Sequence, residues 1–226
     1  MENGFVRYLK FLLECVLDLV YCGDEKCILC GEELYKDKII CTTCAGNIKI
    51  CKDKFNIKVH DKWCTCYSSA YYSESMMELI LKLKYKSSFK AGEAIARYMK
   101  DTIFNNGIEF DIITYVPMTK KSIKKRGYNQ SEYLAKLLGG YMNKPVVSCL
   151  NKVKDTKDQI GLGKMNRWDN IQGSFKINNE YSIENKKILI IDDVLTTGAT
   201  IFHCCSELIE GGARKISILT GAKSKV

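Results

Sequence analysis

The sequence lacks any apolar run long enough to cross a bilayer. Its most apolar early segment, FVRYLKFLLECVLDLVY (5–21), is broken by Arg7, Lys10, Glu14 and Asp18, whereas a spanning helix needs about 20 predominantly apolar residues. The same segment has no small-residue cleavage site, so no secretory signal is apparent and the cytoplasm is the expected compartment. Leu9, Leu12, Leu13, Val16, Leu17 and Val20 follow helical spacing, which predicts an amphipathic helix with a packing stripe. No internal repeat or low-complexity segment is present. Acidic residues are in the minority: 26 Asp+Glu against 35 Lys+Arg give a net charge of +9 over 226 residues. That balance makes polyanions plausible partners, although a lysine-rich solvated surface would produce it too.

What the chain does have is cysteine, and it is unevenly spread. Nine of the twelve cysteines lie in the first 66 residues. This distribution points to a metal module joined to an ordinary domain, because a polar, cysteine-rich stretch cannot build a core alone. CILCGEELYKDKIICTTC (27–44) places Cys27 with Cys30 and Cys41 with Cys44 in two CxxC turns, with ten residues between the pairs. Each turn presents two thiolates, and the intervening segment is long enough to fold back, so one tetrahedral structural zinc is predicted, with redox thiols or an iron–sulfur cluster as the alternatives. A second site is conceivable from Cys51, His60, Cys64 and Cys66, with a metal-free loop as the alternative. His203, Cys204 and Cys205 read as packing residues.

The remainder alternates strands and helices. Helices are predicted around Met76–Leu81, Ala94–Thr102 and Gln130–Met142, and from about Thr200 to the glycine pair at 211–212. Strands are predicted at DIITYVP (111–117), PVVSCL (145–150), KKILIIDDV (186–194) and KISILT (215–220). Fully apolar strands alternating with helices imply an α/β domain whose parallel sheet is covered on both faces. Two units follow: residues 1–69 with the helix and cysteine module, and 70–226 with the α/β domain. The polar, glycine-dotted stretch 151–173 has no clear periodicity, and unstructured segments of that length tend to be functional or disordered.

Ligands in open α/β sheets bind at the carboxyl ends of strands, and there ILIIDDVLTTGAT (188–200) places Asp192 and Asp193. Val194 and Leu195 lead into Thr196, Thr197, Gly198, Ala199 and Thr200, a turn that opens a helix. Backbone N–H groups, hydroxyls and the helix N-terminus converge there on an anion. A monophosphate beside a ribose would satisfy every element of the stretch. A second cluster, VPMTKKSIKKRGYNQ (116–130), follows the earlier strand with Lys120, Lys121, Lys124, Lys125 and Arg126. At a strand's carboxyl end this charge could neutralise a pyrophosphate, or it could be a solvated helix face.

These motifs carry a resemblance. ILIIDDVLTTGAT looks like the phosphoribosyl-pyrophosphate (PRPP) signature of type I phosphoribosyltransferases. By that similarity Asp192 and Asp193 are the catalytic acids meeting the ribose hydroxyls, Val194 through Thr200 form the PRPP-binding loop, and Mg2+ accompanies PRPP. VP…RGYNQS, Gln159, Arg167…NIQGSF and the PRPP motif, in this order behind a cysteine module, resemble the ComF family of competence proteins. The resemblance covers nearly the whole chain, including LysLeuLysTyr at 82–85. It implies a type I phosphoribosyltransferase-like fold behind a small zinc module, and a role in natural transformation. The implied partners are PRPP, incoming single-stranded DNA and a DNA-uptake helicase. Arg126, Asn129 and Gln130 join the pyrophosphate side in this reading, and Gln159, Lys164 and Arg167 belong to a flexible loop that closes over the ligand. Thr196 stands where 6-oxopurine salvage enzymes carry a third acid, which counts against purine salvage. Two readings remain: a PRPP-binding competence protein, and an active transferase with an unidentified nitrogenous acceptor.

Overall fold

The computed structural model of the chain describes residues 26–34, 38–154 and 171–224. The helix expected over 5–21 and the loop residues Gln159, Lys164 and Arg167 lie outside them. The described strands are β1 (Phe55–Val59), β2 (Lys62–Tyr71), β3 (Ile112–Tyr115), β4 (Leu150–Lys152), β5 (Phe175–Ile177), β6 (Lys187–Leu195) and β7 (Lys215–Lys223). The helices are α1 (Thr42–Gly46), α2 (Glu74–Lys86), α3 (Phe89–Asn106), α4 (Lys120–Arg126), α5 (Gln130–Met142) and α6 (Ala199–Glu210).

Five strands form the central sheet in the order β1-β2-β7-β6-β3, parallel except for the β1–β2 hairpin. Ile188, Leu189, Ile190 and Ile191 of β6 are all buried, as expected for a strand covered on both faces. Leu189, Ile191 and Leu219 pack with Leu79, Leu83, Ile95, Met99 and Leu134 of α2, α3 and α5. Ile188, Ile190, Ile216 and Ile218 pack with Ile201, Cys204, Cys205 and Leu208 of α6. The chain is therefore a mixed α/β fold with a mostly parallel sheet between two helical layers.

The amphipathic pattern of α2 shows how sequence sets the layers. Met76, Leu79, Ile80 and Leu83 recur at helical spacing and are buried, while Met77 and Leu81 fall off that stripe and are exposed. The helix over Gln130–Met142 has the bounds its sequence predicts. Two expectations change. PVVSCL gives a single parallel bridge, Val146 to Ile113, and the strand that follows pairs antiparallel with β5 in a separate two-stranded sheet. The composition also changes at Ala70, yet that residue sits inside β2, which pairs with β7 from Thr65 to Tyr71. Residues 55–59 and 62–69 are thus strands of the central sheet rather than part of a detached cysteine module.

Candidate functional site

β6 delivers Asp192 and Asp193 to its carboxyl end, and residues 196–198 bend away before α6 begins. Gly198 is the N-cap of α6 and sits at φ +80°, a left-handed conformation that costs other residues roughly 1–2 kcal/mol. Its carbonyl accepts from Phe202 N at 2.8 Å, closing the first helical turn. The strand therefore ends beside the N-terminus of a twelve-residue helix, where backbone N–H groups face outward without intrahelical partners. Thr196 is exposed and Thr197 and Thr200 are half-buried, which keeps the hydroxyls near the surface of the turn.

The acids are gripped from two directions. Gln130 Nε2 donates to Asp193 Oδ2 at 2.8 Å, and Lys84 Nζ lies 3.0 Å from Asp193 Oδ1. Asp192 Oδ1 accepts from Ser131 Oγ and from the Asp193 backbone N, both at 2.9 Å. Asp193 is buried and Asp192 is the more open of the two. Burial, reinforced by the neighbouring Asp193, pushes the Asp192 carboxyl up to about 7, against the opposing pull of Ser131 and Lys84. Burial would lower Lys84, but the Asp193 and Asp192 charges outweigh it and hold the ammonium above its ordinary value.

The RGYNQS stretch builds this clamp residue by residue. Gly127 caps α4 at φ +95° and turns the chain towards α5. Arg126 Nη1 donates to Gln130 Oε1 at 2.8 Å, and its guanidinium lies 5.7 Å from the centre of the Tyr85 ring. Tyr128 OH donates to the Leu83 carbonyl. Asn129 donates to the Val116 carbonyl and caps α5 by accepting from Ser131 N and Glu132 N. Arg126, Gln130, Asp193 and Lys84 are thereby linked in one chain of polar contacts between four elements, α4, α5, β6 and α2. Lys120, Lys121, Lys124 and Lys125 occupy exposed positions of α4. Lys84 escaped a residue-by-residue assignment because its partner is distant in sequence; the LysLeuLysTyr step at 82–85 was its one signal.

A cavity of about 530 Å³ opens beside the turn, lined by Thr196, Thr197 and Gly198 on one side and by Phe55, Tyr71 and Lys223 on the other.

The cysteines divide cleanly. One ligand atom from each of Cys27, Cys30, Cys41 and Cys44 lies within 4.8 Å of the others, and Cys30 Sγ and Cys41 Sγ are 3.7 Å apart. A tetrahedron with Zn–S bonds of about 2.3 Å has edges near 3.8 Å, so the set fits zinc. Cys27 Sγ accepts from Cys41 N at 3.3 Å and Cys41 Sγ from Cys44 N at 3.4 Å, contacts that favour thiolates. Burial would raise Cys27, yet backbone amides of Cys30, Cys41 and Leu29 bring it down to about 6. Burial and three neighbouring thiols push Cys44 well above the ordinary thiol value. Four thiolates this close repel one another, and a divalent cation at their centre reverses that repulsion.

The conceivable second set does not converge. Among the described residues, Cys27, Cys30, Cys41 and Cys44 alone form a metal-competent group. Cys64 and Cys66 alternate onto the buried side of β2, where Cys64 meets Cys205 of α6. His60 occupies the β1–β2 turn and bonds Ser206 Oγ at 2.7 Å. Cys51 Sγ donates to the Asp53 carbonyl. Strand periodicity, rather than metal, accounts for the CxC step.

Among the described residues no helix is long and apolar enough to cross a membrane. No protein-family model matches the chain. Competence protein F of Haemophilus influenzae is 25% identical over 207 residues, 88% of this chain and 82% of that protein. The DNA utilization protein YhgH of Escherichia coli is 23% identical over 85% of this chain and 87% of its own length. Competence protein ComFC of Streptococcus pneumoniae is 24% identical over 84% of this chain and 96% of its own. Solved structures with some likeness include the B. subtilis glutamine PRPP amidotransferase (TM-score 0.40, 20% identity, 58% of this chain), of which the chain covers 26%. Adenine phosphoribosyltransferase from Leishmania tarentolae has a TM-score of 0.41 at 12% identity, over 72% of this chain and 91% of that one. In sequence the chain resembles the ComF competence and DNA-utilization proteins over most of its length.

Proposed function

We propose that the chain is a PRPP-binding, zinc-containing protein of DNA uptake in natural transformation that handles single-stranded DNA in the cytoplasm. The observation that carries the reading is the placement of Asp192 and Asp193 directly before a left-handed Gly198 that opens α6. The 5-phosphate takes the N–H groups and hydroxyls of Thr196–Thr200, with Val194 and Leu195 setting the approach. Asp192, the more open acid, faces the ribose hydroxyls. Arg126 and the α4 lysines, with Lys164 and Arg167 of the 151–173 stretch, would add positive charge to the pyrophosphate, for which an accompanying Mg2+ would supply further counter-charge. Gln130 and Lys84 fix Asp193 so that the strand end keeps its shape before ligand arrives. Zinc on Cys27, Cys30, Cys41 and Cys44 is structural. Relatives named for competence and DNA utilization support the process, and the basic α4 face suits single-stranded DNA and a DNA-uptake helicase as partners.

Calorimetric titration with PRPP, with and without Mg2+, tests the ligand. Saturable 1:1 binding that Asp192→Asn weakens at least tenfold is expected; heat indistinguishable from dilution would refute it. Oligonucleotide binding by anisotropy tests the partner, with Lys124→Glu and Lys125→Glu together expected to flatten the salt dependence. A second reading, active transfer of phosphoribosyl to a nitrogenous acceptor, draws on the cavity beside the turn. Base-dependent release of pyrophosphate from PRPP would favour it.

A further inference from the structure

A second cavity, of about 250 Å³, opens at the end of the sheet opposite the phosphate turn. Lys62 and Lys215, the first residues of β2 and β7, line it together with Cys64, Ile209, Arg214 and Ile216. Its charged members, Lys62, Arg214 and Lys215, are all cations and all exposed. Cys64 lies beneath them, only 1% exposed, and its side chain meets that of Cys205 in α6. A nucleophilic sulfur thus stands at the floor of a cationic cavity with a second sulfur against it.

The fold holds this contact in place through other residues. His60, in the turn between β1 and β2, bonds Ser206 Oγ through its Nε2 at 2.7 Å. Lys62 Nζ donates to the Ala213 carbonyl, also at 2.7 Å. The start of β2 is therefore latched to α6 and to the chain just after it, and the two cysteines meet whether or not they react. Cys64, Cys66, Cys204 and Cys205 share one core cluster but differ in chemistry. Contact with Cys205 brings the Cys64 thiol below its ordinary value against the opposing effect of burial, and the Lys62 ammonium assists. The same contact, with burial, pushes Cys205 well above the ordinary range. Burial pushes Cys66 up to about 12 and Cys204 higher still. Only Cys64 of the four carries thiolate character, and the thiolate is the form that reacts with oxidants. A low exposure admits a small oxidant and excludes a bulky disulfide.

We propose that Cys64 and Cys205 are a redox-active pair: a small hydroperoxide entering this cavity oxidises Cys64, and Cys205 then closes a disulfide that ties β2 to α6. The inference is independent of the phosphate-loop reading. With hydrogen peroxide, the Cys64 thiolate attacks one oxygen; the S–O bond forms, the O–O bond breaks, and the hydroxide released is protonated to water, leaving a sulfenic acid. Cys205 next attacks Cys64 Sγ. The S–S bond forms, the S–O bond breaks, and the departing hydroxide takes the Cys205 proton to leave as a second water. Two thiols give up two electrons, and one peroxide accepts them. Cytosolic disulfides of this kind are usually transient, and a thiol reductant reverses the bridge by exchange.

The test exposes the reduced full chain to a small excess of hydrogen peroxide, digests it without reductant and maps the peptides by mass spectrometry. A peptide cross-linked through Cys64 and Cys205 should appear before any other cysteine modification and should vanish with dithiothreitol. Cys205→Ala should lose the cross-link and accumulate Cys64 sulfenic acid, trapped with dimedone. Cys64→Ala should lose both the cross-link and the trapped product, whereas Cys66→Ala should leave the cross-link unchanged. Lys62→Gln should slow oxidation of Cys64 about threefold, because less of it is then thiolate. The map of the unsubstituted chain decides the matter even where a variant fails to fold. Cys64 remaining reduced while Cys149 or Cys204 oxidises would overturn the proposal. So would a bridge from Cys64 to a different cysteine, a trapped Cys64 sulfenic acid that never closes in the unsubstituted chain, or a cross-link that forms only in denaturant.

Discussion

The cysteine cluster and the carboxylate clamp are both places where like charges are forced together, and they are held by opposite means. Cys27, Cys30, Cys41 and Cys44 sit over a small cluster whose buried members are Cys27, Leu34 and Cys41, while Ile28, Leu29, Ile39 and Ile40 lean on the main core only as partly buried residues. Asp192 and Asp193 instead stand at the end of a strand whose Ile188–Ile191 run is fully buried, with Gln130, Ser131 and Lys84 already bonded to them. On the proposed reading a zinc ion would hold the first site together, whereas protein contacts alone hold the second. A metal module can therefore be lost without collapse of the phosphate turn, whereas disturbing the clamp disturbs the domain.

The largest expected effect breaks the first half of that contrast. Cys41→Ser, or strong chelation, should abolish zinc binding and expose residues 27–44 to protease, since structural zinc in small modules contributes about 10–16 kcal/mol. PRPP affinity should change by no more than about twofold, because no cysteine of the cluster lines the phosphate turn. Next comes Asp193→Asn, which leaves the mostly buried Lys84 ammonium without its carboxylate. Breaking a buried pair in this way costs about 3–5 kcal/mol, and a large fall in melting temperature is expected; Lys84→Met in the same background should recover part of it. Gly198→Ala should lower stability by roughly 1–2 kcal/mol through the left-handed backbone alone, since the added Cβ meets no atom within 4 Å, and weaken PRPP with it.

A smaller effect follows pH. Asp192 titrates near 7 in the folded chain, well above an ordinary carboxyl, so the native state holds its proton more tightly than the unfolded state does. Its contribution to stability is thus present at low pH and is lost as pH rises through about 7. The proposed contact of Asp192 with ribose hydroxyls and Mg2+ would need the anion. PRPP affinity should therefore rise by about fivefold between pH 6 and 7 and level off by about pH 8; an affinity flat over this range would remove Asp192 from the contact. The smallest effect belongs to α4, where replacing an exposed lysine such as Lys120 with glutamine should shift stability by no more than about 0.5 kcal/mol.

What the sequence made legible was local. CxxC turns, the TTGAT turn and the α5 helix each declare themselves within a few residues, because their geometry is fixed by chain neighbours. Lys84 meets Asp193 only through the packing of α2 on the sheet, and no spacing announces that contact. Cys64 and Cys66 were ambiguous for the opposite reason. Read as ligands they invite a metal, but in β2 their spacing of two places both on the buried side against Cys204 and Cys205. The same strand undoes the boundary suggested at 69/70: a shift in composition marks where cysteines end, and parallel pairing with β7 marks where the sheet begins.

The most direct test of the phosphate turn is 31P NMR of PRPP titrated with the intact protein in the presence of Mg2+. The account predicts that the 5-phosphate resonance shifts and broadens on addition of stoichiometric protein, with a smaller response in Gly198→Ala. A 5-phosphate signal unmoved by excess folded protein would contradict it.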